Sequence, residues 1–133
     1  MKSASVAAFS IALIVAAGTV AAQSGEPAKG ERLFNQQCKS CHTVDKGGAN
    51  KVGPNLWSVV GRKKASHDGF SYSSALQGKG GDWSYEDINH MIFKPQGYVR
   101  GTKMAFAGLV KEQDRADVIA YLRTMSDSPA PLP

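Results

Sequence analysis

Apolar residues recur at helical spacing in several stretches of this chain, and nowhere does a run alternate as a half-buried strand would. The clearest stripe is Val118, Ile119, Leu122 and Met125, which predicts a last helix from about Glu112 to Ser126. Ile88, Met91 and Ile92 mark a second apolar face, behind a start signal at Ser84-Tyr85-Glu86-Asp87. There Ser84 can cap, and the acidic side chains sit where the helix dipole favours them. Pro95 should end this helix near Lys94. Leu33, Phe34 and Gln37 predict a first helix over Ala28 to about Lys39, with Pro27 suited to its first turn. Phe70 to Leu76 reads as a short helix stopped by Gly78, Gly80 and Gly81. Between these lie long glycine-rich loops, at 45–55 and 96–108. The class is all-α, and loops of this length need something to pack on.

The longest apolar run is Ala4 to Val20, after a positive start at Lys2 and before Val20-Ala21-Ala22. That is the three-part pattern of a cleaved secretory signal, so residues 1–22 are expected to be removed. Residues 23–133 would then form one domain, with 127–133 a loose proline-rich tail. An uncleaved membrane tether is the alternative, but the run is at the short end for a span. Lys and Arg number 16 against 11 Asp and Glu, a formal net charge of +5. Such a surplus suits an acidic partner or an anionic surface. The basic residues are scattered and accompany no nucleic-acid motif, so nucleic acid is not an expected partner.

The candidate chemistry lies at Cys38-Lys39-Ser40-Cys41-His42. A disulfide between cysteines three apart would close too short a loop to stabilise the chain much. A thioredoxin-like pair would want a βαβ context, and zinc would want further ligands at suitable spacing. C-x-x-C-H is instead the pattern of covalent c-type haem attachment. Thiols three apart on a helical turn share one side and can each add to a vinyl group. The following imidazole then lies over the ring face and can bind iron. For the opposite face the candidates are His67, His90, Met91, Met104 and Met125. Met125 and Met91 fall on apolar helix faces and read as core. His90 neighbours such a face, and His67 sits in a polar loop. Met104 lies in the flexible segment Gly101 to Gly108, which can carry a thioether to the iron.

These segments together resemble a class I cytochrome c, of the mitochondrial and bacterial c2 kind. The likeness runs from about Gly30 to Met125. It rests on Gly30 and Phe34, on Cys38-x-x-Cys41-His42-Thr43-Val44 and Gly47-Gly48, and on Gly53-Pro54-Asn55-Leu56 and Gly61-Arg62-Lys63. It continues with Gly69-Phe70-Ser71-Tyr72, Trp83, Gly101-Thr102-Lys103-Met104-x-Phe106-Ala107-Gly108 and Arg115 to Leu122. The resemblance implies crossed first and last helices, with loops wrapped around one covalent haem c. It implies Cys38 and Cys41 as attachment points, His42 and Met104 as iron ligands, and the Pro54 carbonyl as acceptor from His42. Trp83 and Tyr72 would face a haem propionate, with Arg62 offsetting its charge. Gly30 and Phe34 would meet Tyr121. The chain departs from the mitochondrial pattern at four places: Met91, Leu76, Arg100 and the pair Gln96-Gly97. The first two make the pocket less polar, and the last removes lysines from a docking face.

The expected function is that of a soluble, monomeric, periplasmic one-electron carrier rather than an enzyme. It would shuttle between membrane redox complexes such as a bc1-type donor and an oxidase, reaction-centre or reductase acceptor. Lys39, Lys51, Lys103, Lys63 and Lys111 would ring the haem edge and steer acidic partners. A small haem peroxidase is the competing class, and requires that the sixth ligand be missing or easily lost.

Overall fold

The computed structural model describes residues 24–133, so the expected signal segment lies outside the described residues. Helix α1 spans Pro27–Gln37, α2 Ser74–Lys79, α3 Tyr85–Phe93, α4 Pro95–Tyr98 and α5 Glu112–Thr124. The described residues contain no strand, only an isolated antiparallel bridge between Lys63 and Asp82. The all-α expectation therefore holds.

Pro27 opens α1 at its first turn, where a missing N–H costs nothing. Glu26, its N-cap, makes no side-chain cap; instead the Glu26 N–H donates to Asp117 Oδ1 of α5 at 2.8 Å. The helix start is thus tied to the helix it crosses. That crossing is close because Gly30 faces it: a Cβ there would lie 1.9 Å from the Asp117 carbonyl oxygen and 2.8 Å from Tyr121 Cβ. Phe34, one turn on, meets the Tyr121 ring at 5.6 Å between centroids. Phe34, Val118 and Leu122 are buried in the same core.

The first helix ends at Gln37, two residues earlier than expected, and Cys38 to Cys41 form a turn beyond it. The short helix expected over Phe70 to Leu76 lies further on, at Ser74–Lys79. Ser73 sets its start, its hydroxyl accepting from the Leu76 N–H at 3.1 Å. Gly78 is inside this helix, and Gly80 stops it, at φ +70. Ser84 caps α3 as expected, accepting from the Asp87 N–H at 3.0 Å. Pro95 ends α3 and also starts the single turn α4, inside what the sequence read as loop. The last helix stops at Thr124, with Met125 as its C-cap. Beyond it the tail touches α3 and α5: the carbonyl of Ala130 accepts from Tyr85 Oη at 3.2 Å and from Arg123 Nε at 2.7 Å.

Candidate functional site

Loop residues from 38–42, 52–62, 70–73 and 102–106 meet at one cavity of about 260 Å³, and most of its wall is apolar. Leu56, Val59, Leu76, Ile88, Met91, Ile92, Val118 and Leu122 supply that wall. Cys38, Cys41 and His42 line one side, and Met104 lines it from the loop after α4. The four residues singled out by the sequence thus come together on one space.

Cys38 follows α1 directly and is half-buried. Its thiol is pushed up to about 11, first by burial and then by the neighbouring Cys41. A redox-active dithiol works through a depressed thiolate, so this electrostatic setting opposes the thiol–disulfide reading. His42 is positioned more tightly. Its Nδ1 lies 2.7 Å from the Pro54 carbonyl oxygen, which can only accept, so Nδ1 carries the proton. Burial lowers the imidazole pKa, with Lys51 and Arg62 adding to that effect against the Pro54 bond. A neutral ring with Nδ1–H committed leaves the Nε2 lone pair as a metal ligand. Gly53 makes room for it, since a Cβ there would lie 2.4 Å from His42 Cε1.

The segment carrying Met104, which lines the same cavity, is fixed at both ends. Gln96 Nε2 donates to the Thr102 carbonyl at 2.8 Å, and the Thr102 hydroxyl accepts from the Met104 N–H at 3.2 Å. Beyond Met104, Leu109 N–H donates to the Ile92 carbonyl at 2.8 Å, and buried Arg115 donates to the Leu109 and Val110 carbonyls. Gly108 lets this returning segment approach α3: a Cβ would meet the Phe93 carbonyl at 1.9 Å. The other ligand candidates lie elsewhere or read as wall. Met91 is buried and lines the cavity. Met125 caps α5. His90 is exposed, stacked on Tyr98 and 3.4 Å from Glu86.

One edge of the cavity is polar. Arg62 Nη1 and Nη2 donate to the Trp57 and Asn55 carbonyls at 2.9 and 3.1 Å. Its Nε is buried with no partner among the described residues. Burial lowers the guanidinium pKa. Tyr72 and Trp83 stand on the same wall, and the Tyr72 hydroxyl accepts from the His67 N–H at 3.1 Å, which leaves its own proton to donate. A flat, mostly apolar group with carboxylates at one edge fits this distribution, and it would give the orphaned Arg62 N–H an acceptor.

The sequence did not reveal how the loop behind His42 is held. Asn55 is 1% exposed; its Nδ2 donates to Thr43 Oγ1 and to the Asp45 carbonyl, both at 2.8 Å. The cavity rim carries Lys103, whose Nζ donates to the Ser71 carbonyl at 3.1 Å. Lys51 Nζ donates to the Lys39 carbonyl at 2.6 Å. Lys39, Lys51, Lys63, Lys103 and Lys111 are all exposed.

This fold and donor set define a small haem-attaching domain, and comparison with known proteins agrees. The family model described as Cytochrome c matches residues 27–126. A cytochrome c homolog of Bradyrhizobium diazoefficiens is 50% identical over 99 residues, covering 74% of this chain and 54% of that protein. Cytochrome c of Theileria annulata is 50% identical over 107 residues, covering 80% of this chain and 92% of that protein. Cytochrome c of Ulva intestinalis is 45% identical over 102 residues, covering 77% and 92%. The chain thus spans about half of the Bradyrhizobium protein and nearly all of the other two. The chain belongs to the cytochrome c family. It is accordingly an electron carrier of the class I type, with one covalent haem c attached through a C-x-x-C-H motif.

Proposed function

We propose that the mature protein is a soluble, exported, monomeric one-electron carrier. Its haem would be joined at Cys38 and Cys41 and its iron held by His42 and Met104. The observation that carries this reading is His42 Nδ1 at 2.7 Å from the Pro54 carbonyl, on a cavity that Met104 also lines. When bound, the haem supplies a one-electron couple. The protein does the rest: Pro54 holds the imidazole in the tautomer that offers Nε2, and the anchored 99–109 loop presents the Met104 thioether. Apolar walls keep water out, which reduces reorganisation when the iron's charge changes. Were His42 and Met104 both to hold the iron, no coordination position would be left for substrate, which favours a carrier over an enzyme. Methionine opposite histidine also raises the reduction potential.

Met104→Ala tests the ligand set. The oxidised variant should lose the sulfur-to-iron charge-transfer band, become high-spin and bind cyanide rapidly, while Met91→Leu and Met125→Leu keep the band. If Met104→Ala leaves the band in place, Met104 is not the ligand.

For location, the leader at 1–22 supports export to a bacterial periplasm or an equivalent compartment. Mass spectrometry of the exported protein should find a chain beginning at Gln23, and a retained leader would instead indicate a tether. For partners, exposed Lys103 at the cavity rim, with exposed Lys39, Lys51, Lys63 and Lys111, supports docking of acidic surfaces on respiratory-type membrane complexes: a bc1-type donor, and an oxidase, reaction centre or reductase as acceptor.

A further inference from the structure

Beside Trp83 lies an ion pair between Lys64 and Asp87, neither of which lines the cavity. Lys64 is 7% exposed. Its Nζ donates to the Gly80 carbonyl at 3.2 Å, the Asp82 carbonyl at 3.0 Å and Asp87 Oδ2 at 2.8 Å, which uses all three of its protons. The same ammonium lies 5.3 Å from the centroid of the Trp83 ring. Asp87, in the first turn of α3, accepts from the Tyr98 hydroxyl of α4 on its other oxygen, at 2.6 Å. The pair is lopsided in solvent. The Lys64 side chain is 5% exposed and that of Asp87 is 29% exposed, so water screens the anion more than the cation. A fixed positive charge outside the cavity lining therefore stands against the indole that forms part of the cavity wall.

We propose that Lys64 and Asp87 set the reduction potential of the bound haem from beside Trp83. Lys64 is a positioning residue that holds the indole at the wall and presents a buried cation there. Asp87 determines how much of that charge reaches the cavity. A nearby positive charge favours the reduced haem, so the cation raises the potential and the carboxylate lowers it. The cation also polarises the indole, which strengthens its N–H as a donor toward a haem carboxylate. This inference rests on the haem-site reading given above, with Trp83 against the haem.

The test is an optical redox titration of the haem-loaded protein and of Asp87→Asn, Lys64→Met and the double variant, at one pH and one ionic strength. Thermal unfolding is recorded for each. Asp87→Asn keeps the shape of the side chain and should raise the potential. Lys64→Met keeps most of the stem and should lower it. Each shift should correspond to about a five- to tenfold change in the electron-exchange equilibrium constant, the size of one charge acting through a small domain's interior. The double variant should return toward the parent. Shifts of the same sign, or lost thermal stability with unmoved potentials, would show a structural staple only and overturn the proposal. Should Lys64→Met fail to give haem-loaded protein, Asp87→Asn decides alone: a raised potential supports the proposal, and an unchanged or lowered one overturns it. Absence of the sulfur-to-iron band in the parent would instead be a failure of the ligand assignment, separable from either result.

Discussion

Asp87 carries three roles at once: cap-turn acid, ion-pair partner of Lys64 and acceptor for Tyr98. Hydrogen bonds from Lys64 and then Tyr98 hold its carboxyl at about 2, below its ordinary 3.8. A carboxyl depressed on folding contributes stability above its unfolded value and loses it as pH falls through the folded one. Asp87→Asn should therefore be less stable than the parent by about 2 kcal/mol near neutrality, since it leaves Lys64 without its counter-ion. The gap should close between about pH 4 and pH 2, where the parent's Asp87 also becomes neutral. Denaturant unfolding at pH 7 and near pH 2 checks this, and a gap that persists at the acid end would contradict it. At this scale the sequence could name Cys38, Cys41, His42 and Met104, which line one cavity, because their types sit in adjacent residues or one short loop. It could not pair Lys64, Asp87 and Tyr98, because 23 and 11 residues separate the partners and no local pattern joins them. Gly53 escaped for a similar reason: its need for no side chain arises only from the His42 ring that folds against it.

Among the elements, the crossing of α1 and α5 places the attachment segment. Cys38 follows α1 at once, so whatever fixes α1 fixes the thiols. Gly30→Ala would drive a methyl into the Asp117 carbonyl, a backbone atom that cannot turn aside. It should cost about 3 kcal/mol or more, the upper end of overpacking, with a matching loss in denaturation midpoint of the haem-loaded protein. A variant as stable as the parent would mean that the helices can separate without penalty. The long helices were legible because each has a periodic apolar face or a capping signal. The two short ones were misplaced or missed. In α2 the cap is Ser73 rather than any residue near Phe70, and Phe70 and Tyr72 instead pack edge to face at 4.9 Å between centroids. In α4 a single turn between Lys94 and Val99 is too short to show a period, and Pro95, read as a stop, is also its start.

For the whole molecule, the loops make sense only around a bound group. The cavity of about 260 Å³ is partly open to solvent and lined mostly by apolar side chains, which a flat apolar group would take out of water. The covalent haem therefore completes the core as well as supplying the couple. The charge pattern acts at this scale too. Exposed lysines, Lys103 at the cavity rim among them, should speed encounter with an acidic redox partner, and added salt should slow electron transfer as the screening length shortens toward the spacing of the charges. A rate indifferent to ionic strength would remove the steering role.

The central claim is a haem closed on both faces by His42 and Met104, and optical redox titration of the purified protein tests it most directly. The account predicts one reversible one-electron transition at a raised potential, with the sulfur-to-iron band present in the oxidised form. A high-spin oxidised spectrum that lacks this band, with rapid cyanide binding, would contradict it.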